Sequence, residues 1–383
     1  MIAPPIPHVR IGLIGLGRRG MKTLERYAFI EGATIACIAD VDAKKLEEAN
    51  QKLIDSNRSV AKAFCGIDAW KEVCKLPDID LIYICTDWST HCTMAVTAME
   101  AGKHVAVEVP AAETIEECWK LVDTAERTQR HCFMTENCCY DSFALSTLEM
   151  HRQGLLGEIT HCEGAYIHRI EQLSASWMET SCATHGGNPY PTHGIGPIAQ
   201  LIGLNRTDKL DYLVSLSSST TDAKKGRGRV NSTLIRTVNG VSILLQLDVT
   251  TTRPYSRLQT VCGTNGYVQK YPLPTIQLNN EEQATEGLEA LKRSELYFNN
   301  VCADIWKKGH ALGVPNEMNF TMDSRLIHCL RKGLPLDIDV YDAATWSCIA
   351  ELSQQSAENG SIPIKIPDFT RGKWFTNHPG TLL

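Results

Sequence analysis

A chain of 383 residues accommodates two domains at about 150 residues each, and its 43% hydrophobic and 21% charged content fits a globular protein with a sizeable core. That composition excludes a disordered, collagenous or coiled-coil chain. With 44 acidic against 38 basic residues the net charge is −6, and no block of like charge offers a footprint for nucleic acid or an anionic membrane. Val9–Ile14 is a compact apolar run ending in a glycine turn, and Ala33–Ala39, Leu81–Thr86, His104–Glu108 and His131–Thr135 are four more. Between them, Met21–Phe29, Ala43–Ser56, His91–Ala101 and Ile115–Thr128 carry helical patterns. Strands that are apolar nearly throughout, alternating with helices, predict a parallel sheet covered on both faces. Met94, Val96 and Met99 then read as one packed helix face, not as a cofactor box.

After about residue 150 the pattern changes. Glu158–His168 opens a β-rich region that continues through Leu210–Ser218, Ser232–Val238, Gly240–Thr250, Arg257–Gly263 and Tyr267–Tyr271. Short sequential strands joined by polar turns predict an antiparallel or mixed sheet, and Asn239-Gly240 is a hairpin signal. From about Glu282 helices return, with Met322–Arg331 and Ala343–Glu358 the clearest and Gly360 the C-cap of the last. The fold class is α/β: a parallel-sheet domain over residues 1–135, then an α+β domain over 136–383 whose last segment is free to pack back on the first.

Fifteen cysteines without a C-x-x-C pair exclude a zinc ribbon and a thioredoxin-like motif, and no metal site is expected. The neighbours Cys138 and Cys139 read as packing. Scattered unpaired cysteines suit a reducing compartment. No run of ~18 apolar residues predicts a membrane span. Met1–His8 lacks a basic segment followed by an apolar one, which predicts a cytoplasmic protein. An exported form trimmed at a cleavage site would look the same.

Gly15-Leu-Gly17-Arg-Arg-Gly20 follows the first strand and opens a helix, with Asp40 at the end of the second strand. In that context the pattern binds a dinucleotide: Gly15 allows the tight turn, Gly17 the approach of a pyrophosphate, and Gly20 close helix–strand packing. The helix N-terminus offers unpaired N–H groups to the phosphates. A carboxylate at Asp40 accepts from ribose hydroxyls and repels a 2′-phosphate, which favours NAD over NADP. Arg18 and Arg19 face the pyrophosphate or solvent. Glu108-Val109-Pro110 ends the fourth strand on the ligand-binding edge of such a sheet. On the loop after the third strand, Trp88 is placed to lie over the cofactor. His91 either caps the next helix there or sits in a plain surface loop.

These residues resemble the glucose–fructose oxidoreductase and inositol dehydrogenase superfamily, a Rossmann domain followed by an open-faced sheet domain. Its dehydrogenases carry Glu-Lys-Pro where this chain has Val109, and a valine can neither donate nor accept a proton. A closer resemblance, from Gly12 to about Trp374, is to the NAD-dependent glycosidases of glycoside hydrolase family 109. It is carried by Ala106-Val-Glu-Val-Pro-Ala-Ala112, Glu136-Asn-Cys-Cys-Tyr140, Gly164-Ala-Tyr-Ile-His168 and Tyr190-Pro-Thr-His-Gly194. Thr251-Thr-Arg-Pro-Tyr-Ser256 and Asp368-Phe-Thr-Arg-Gly-Lys-Trp374 complete it. Val314–Asn319 and Glu171–Gly187 depart from the usual pattern, and both are expected to border the sugar pocket.

The resemblance implies an α-N-acetylgalactosaminidase working by redox and elimination. A hydride passes from sugar C3 to bound NAD⁺, the ketone acidifies the C2 proton, the leaving group is expelled, water adds at C1, and the hydride returns. His193, at a turn feeding a helix, then handles the C3 hydroxyl as a neutral acceptor near pH 7. Tyr166 is the candidate C2 base, sharing a strand face with His168, which could tune its pKa. Tyr190, His168 and Glu136 are assigned to the sugar or the nicotinamide ribose, and Asn137 to the cofactor or to a helix cap. Hydrolysis by paired carboxylates stays open, as do a conventional NAD-dependent sugar or polyol oxidoreductase and a non-catalytic sensing module. An open sheet face implies cover by another copy, a homo-oligomer.

Overall fold

The computed structural model describes residues 2–169, 176–218, 230–279 and 281–376. The first domain alternates strand and helix: β1 (Val9–Ile14), α1 (Arg18–Tyr27), β2 (Ala33–Asp40), α2 (Ala43–Asp55), β3 (Lys62–Cys65), α3 (Ala69–Lys75), β4 (Leu81–Ile84), α4 (Trp88–Glu100), β5 (His104–Val107), α5 (Ile115–Thr128) and β6 (Cys132–Met134). The strands form one parallel sheet in the order β3-β2-β1-β4-β5-β6. β4, β5 and β6 are buried along their whole length, as expected of strands covered by helices on both faces. Thr114 starts α5 with a capping box, its hydroxyl accepting from the Glu117 N–H while the Glu117 side chain reaches back. The order reverses at β1, so the crevice beyond the carboxyl ends of β1 and β4 is where such a sheet binds its ligand.

A 3-10 turn (Asn137–Tyr140) and α6 (Ser142–Arg152) lead into the second domain. There follow β7 (Ile159–Ile167), α7 (Ser176–Thr184), α8 (Thr192–Ile202), β8 (Leu210–Ser217), β9 (Asn231–Thr237), β10 (Ser242–Asp248), β11 (Ser256–Gly263), β12 (Gly266–Gln269), β13 (Thr275–Leu278) and β14 (Thr285–Glu286). The chain ends with α9 (Gly287–Glu295), α10 (Val301–Leu312), α11 (Glu317–Lys332), α12 (Val340–Ser347), α13 (Ile349–Glu358) and β15 (Ile364–Lys365). The described strands pair in the order β14-β13-β12-β11-β7-β10-β9-β8-β15. All pairs are antiparallel except β7 with β10. The sheet is mixed, as its pattern implied. Asn239-Gly240 makes the β9–β10 hairpin, with Gly240 at φ +99° and the Thr237 N–H donating to the Val241 carbonyl. One face of the sheet packs on α8 and α13. On the other, Leu216 and Leu234 stand 66% and 56% exposed.

The last helices return to the first domain. On α11, Asp323 is fully buried against the Arg26 guanidinium of α1 at 2.6 Å and accepts from the Tyr83 hydroxyl of β4 at 3.0 Å. On α12 and α13, the Ser347 hydroxyl and the Glu351 carboxylate accept the Ala111 and Ile115 N–H groups. All fifteen cysteines are free thiols, and only Cys65 is exposed. Among the described residues no helix is long and apolar enough to cross a membrane.

Candidate active site

One cavity of about 1110 Å³ opens at the switch point of the first sheet and runs to the face of the second domain. Its nucleotide end is built by the turn between β1 and α1. Gly15 has φ +86°, and a Cβ on Gly20 would stand 1.9 Å from the Gly15 carbonyl oxygen, so the turn closes only with glycine at both. A Cβ on Gly17 would meet nothing within 4 Å. Gly17 is also the N-cap of α1 and brings no side chain to the first N–H groups, which stay available to an anion. Asp40 is fixed at the cavity wall, Oδ2 accepting the Leu16 N–H at 2.6 Å and Oδ1 the Asp42 N–H at 2.9 Å. Open space above Gly17, a bare helix terminus and a pinned carboxylate fit a dinucleotide.

Of the other residues assigned to the cofactor, Arg18, Arg19, Trp88, His91 and Glu108 line this cavity, while Gly20 lies beneath the turn. Arg19 and Glu108 are not independent contacts. They pair with each other at 3.0 Å, joining α1 to the end of β5. His91 neither caps a helix nor sits in a surface loop: it is fully buried within α4, with Nδ1 2.7 Å from the Pro110 carbonyl and Nε2 3.1 Å from that of Thr86. Burial lowers its pKa, and as a neutral ring it donates to one of these two carbonyls and packs against the other. Asn137 is outside the cavity lining. Its amide donates to Asn319 Oδ1 at 2.9 Å, and it caps nothing, because Glu136 is the N-cap of the 3-10 turn. The divergent Val314–Asn319 stretch belongs to this same support: Asn316 caps α11, and Asn319 meets Asn137 away from the cavity. Of the other divergent stretch, residues 171–175 lie outside the described residues, and Trp177 and Met178 on α7 line the cavity.

The second-domain wall is aromatic. Tyr190 stacks on Trp88 at 5.3 Å and meets Tyr166 edge-on at 4.8 Å, while Trp177 stands edge-on to Trp88 at 5.2 Å. Close backbone contact sets this geometry. A Cβ on Gly164 of β7 would fall 2.2 Å from the Gly194 carbonyl oxygen, so α8 lies directly on the strand and carries His193 to within 5.4 Å of the Tyr166 ring. His193 is held from both sides: Nδ1 to Glu136 Oε1 at 2.6 Å and Nε2 to the Tyr190 hydroxyl at 3.0 Å. Glu136 is fully buried behind it and does not line the cavity, so its expected role as a sugar contact gives way to that of an anchor for the imidazole.

The electrostatics correct two expectations. Burial alone would lower the His193 pKa, but Cys138 and the Glu136 carboxylate outweigh it and raise it to about 10. These neighbours favour the protonated ring, against the neutral acceptor expected near pH 7. Glu136 moves the opposite way. Its pKa is lowered because the charge and hydrogen bond of His193 overcome burial. Tyr166 is 7% exposed, and burial pushes its phenol up, with Arg18 the opposing cation. His168 does stack on Tyr166 at 5.7 Å, but burial lowers its own pKa, so it is neutral and offers no charge to stabilise a phenolate. It also lies outside the cavity lining. Two features escaped the sequence: the closeness of Cys138 to His193 and the Arg19–Glu108 pair. Neither has a local signal, because each joins segments far apart in the chain.

Residues 9–136 match the family described as "Oxidoreductase family, NAD-binding Rossmann fold", and residues 169–227 and 220–376 match "Glycosyl hydrolase 109, C-terminal domain". The chain is similar to an alpha-N-acetylgalactosaminidase of Bacteroides fragilis, 51% identical over 98% of this chain and 95% of that protein. It is 48% identical to a glycosyl hydrolase family 109 protein of Phocaeicola vulgatus, over 98% and 97% of the two. Among solved structures, scyllo-inositol dehydrogenase from Lactobacillus casei with bound NAD(H) and scyllo-inositol superposes with TM-score 0.71 at 17% identity, covering 94% of this chain and 99% of that one. Aldose-aldose oxidoreductase from Caulobacter crescentus gives 0.72 at 16% identity, covering 94% and 100%. The structures establish a shared fold, and the family match identifies its first domain as an NAD-binding Rossmann fold. Identity near one half across almost the whole length establishes more: the chain belongs to glycosyl hydrolase family 109 and is a glycoside hydrolase.

Proposed function

We propose that this enzyme releases α-linked N-acetylgalactosamine, the activity that names its Bacteroides fragilis relative, with NAD as a retained cofactor, by oxidation at C3 and elimination across C2 and C1. One observation carries the reading. Tyr166 and His193 share a single cavity with the glycine turn, and the two glutamates nearest them in the sequence motifs already have partners. Glu108 is paired with Arg19, and Glu136 is buried behind His193. Val109 lies in the cavity wall with no proton to exchange, so acid–base work falls to the tyrosine and the histidine.

When bound, the nicotinamide supplies a hydride acceptor that later gives the hydride back, so turnover leaves no net oxidation. His193 moves the proton of the C3 hydroxyl through Nε2, with Glu136 holding the ring from Nδ1. Acceptance needs the neutral imidazole, the form that Cys138 and Glu136 disfavour in the free protein. Tyr166 takes the C2 proton once the C3 ketone has acidified it, with Arg18 as the cation that favours the phenolate. Tyr190 and Trp88 hold the rings in place. Asp40 sets the preference for NAD over NADP, and Asp40→Ala is expected to weaken it.

The test uses a para-nitrophenyl α-N-acetylgalactosaminide deuterated at C2. Release of nitrophenol without net NADH, together with loss of the deuterium to solvent, is the expected result. Stoichiometric NADH would make the protein a conventional oxidoreductase. Full retention of deuterium would mean direct displacement at C1.

A further inference from the structure

Glu136, Cys138 and His193 bring three different kinds of metal donor to one point. A ring nitrogen, a carboxylate oxygen and a thiol sulfur all lie within 4.8 Å of one another. Two of the three are anchored by the fold. Glu136 is fully buried, with Oε1 accepting the Cys138 N–H at 3.0 Å, and Cys138 is 3% exposed in the 3-10 turn that follows it. The other carboxylate oxygen, Oε2, is buried with no well-formed hydrogen bond, the Thr192 hydroxyl being its weak neighbour. A buried carboxylate oxygen left unpaired is costly, and a cation satisfies it. His193 lines the cavity, with Glu136 behind it on the Nδ1 side.

The donor set selects the ion. Thiolate, imidazole and carboxylate together suit a borderline divalent ion such as Zn²⁺, whereas Mg²⁺ and Ca²⁺ ask for oxygens alone. Three protein donors leave the fourth tetrahedral position to a cavity ligand. We propose that Glu136, Cys138 and His193 form a binding site for Zn²⁺ or a similar thiophilic divalent ion. The ion takes the place of the Glu136–His193 hydrogen bond, since its bonds of about 2.0–2.3 Å to each donor require the 2.6 Å contact to open. Metal binding and proton transfer are therefore alternative uses of His193, and the ion inhibits. Only this inhibition rests on the proposed glycosidase mechanism.

Co²⁺ is the probe, added to the full chain as purified with its nucleotide. The expected result is one equivalent bound, with a thiolate-to-cobalt charge-transfer band and strong tetrahedral visible bands that Zn²⁺ abolishes. Cys65 is the one exposed thiol, so Cys65→Ser is the control and should leave the spectrum intact. Cys138→Ser should remove the charge-transfer band and weaken Zn²⁺ at least tenfold. Glu136→Gln, which keeps the side-chain shape, should weaken it similarly and serves if the first variant unfolds. A band that survives Cys138→Ser, or that disappears with Cys65→Ser, overturns the site. In the activity arm, Zn²⁺ should inhibit reversibly, with chelator restoring turnover. Stoichiometric binding with full activity overturns the inhibitory role, and the cobalt spectrum needs no substrate, so failure of the glycosidase reading is seen separately.

Discussion

At the scale of single residues, the site is a set of proton positions fixed by neighbours. His193 and Tyr166 face one cavity, and their variants separate their roles. His193→Ala should abolish reduction of the bound nucleotide by substrate, because hydride transfer requires the C3 hydroxyl proton to leave. Tyr166→Phe keeps the ring and its contacts with Tyr190 and His193, so reduced nucleotide should still accumulate while C2 exchange and product release fall. Acid–base groups contribute ~10²–10⁴-fold, so losses under about tenfold in both variants would mean the roles are misassigned. Glu136→Gln removes one of the two neighbours that raise the His193 pKa, leaving Cys138. The His193 titration, followed by NMR, should move down from about 10 toward the ordinary value of about 6.5. No movement would show that Glu136 is only a packing partner. The motif around His193 was legible in the sequence, but its protonation was not. That depends on Glu136 and Cys138, which reach it only through the fold.

At the scale of elements, legibility followed burial. The strands buried on both faces, β1, β2, β4, β5 and β6, stood out as apolar runs. β3 and α3 did not: β3 is an edge strand of four largely exposed residues, and α3 is too short to show a period. The single helix expected over 343–358 is two, α12 and α13, meeting at Cys348. One element-level feature carries a pH dependence. His104 begins β5 and His131 directly precedes β6; their rings lie 5.1 Å apart, and the His131 N–H donates to His104 Nδ1 at 3.0 Å. Burial lowers His104 to about 3 and His131 to about 4. In the unfolded chain both titrate near 6.5, so below that pH the unfolded state binds protons that the folded state does not. The stability tied to the pair is complete above about 6.5 and lost as pH falls toward 4 and then 3. His104→Asn keeps an acceptor near the Nδ1 position without a titrating ring. It should flatten the drop in Tm between pH 7 and pH 5, and an unchanged drop would assign the acid sensitivity to other groups.

At the scale of the whole molecule, nucleotide turn and substrate wall belong to different sheets, and the cavity exists only while the two are held in register. The two-part architecture was legible, because a helix-separated parallel pattern gives way to sequential short strands. The clamp between the parts was not: Asp323 sits in a helix among polar residues and reads as surface. In the structure it is fully buried, bonded to Arg26 Nε at 2.7 Å and to the Tyr83 hydroxyl, and burial raises its pKa despite the arginine. Removing one partner of a buried pair leaves the other charge uncompensated, typically at about 3–5 kcal/mol, whereas replacing both with apolar groups of similar volume is near neutral. Asp323→Ala should therefore lower the urea-unfolding free energy by about that amount, and Arg26→Met with Asp323→Leu should recover most of it. Arg26 lies on α1, the helix whose first turn faces the nucleotide, so the single variant should also retain less nucleotide on purification than the double. If Asp323→Ala costs less than about 1 kcal/mol, or if the double variant is no better than the single, this contact does not hold the domains together. The register would then rest on the apolar packing of α11 and α12 and on the Ser347 and Glu351 hydrogen bonds to Ala111 and Ile115.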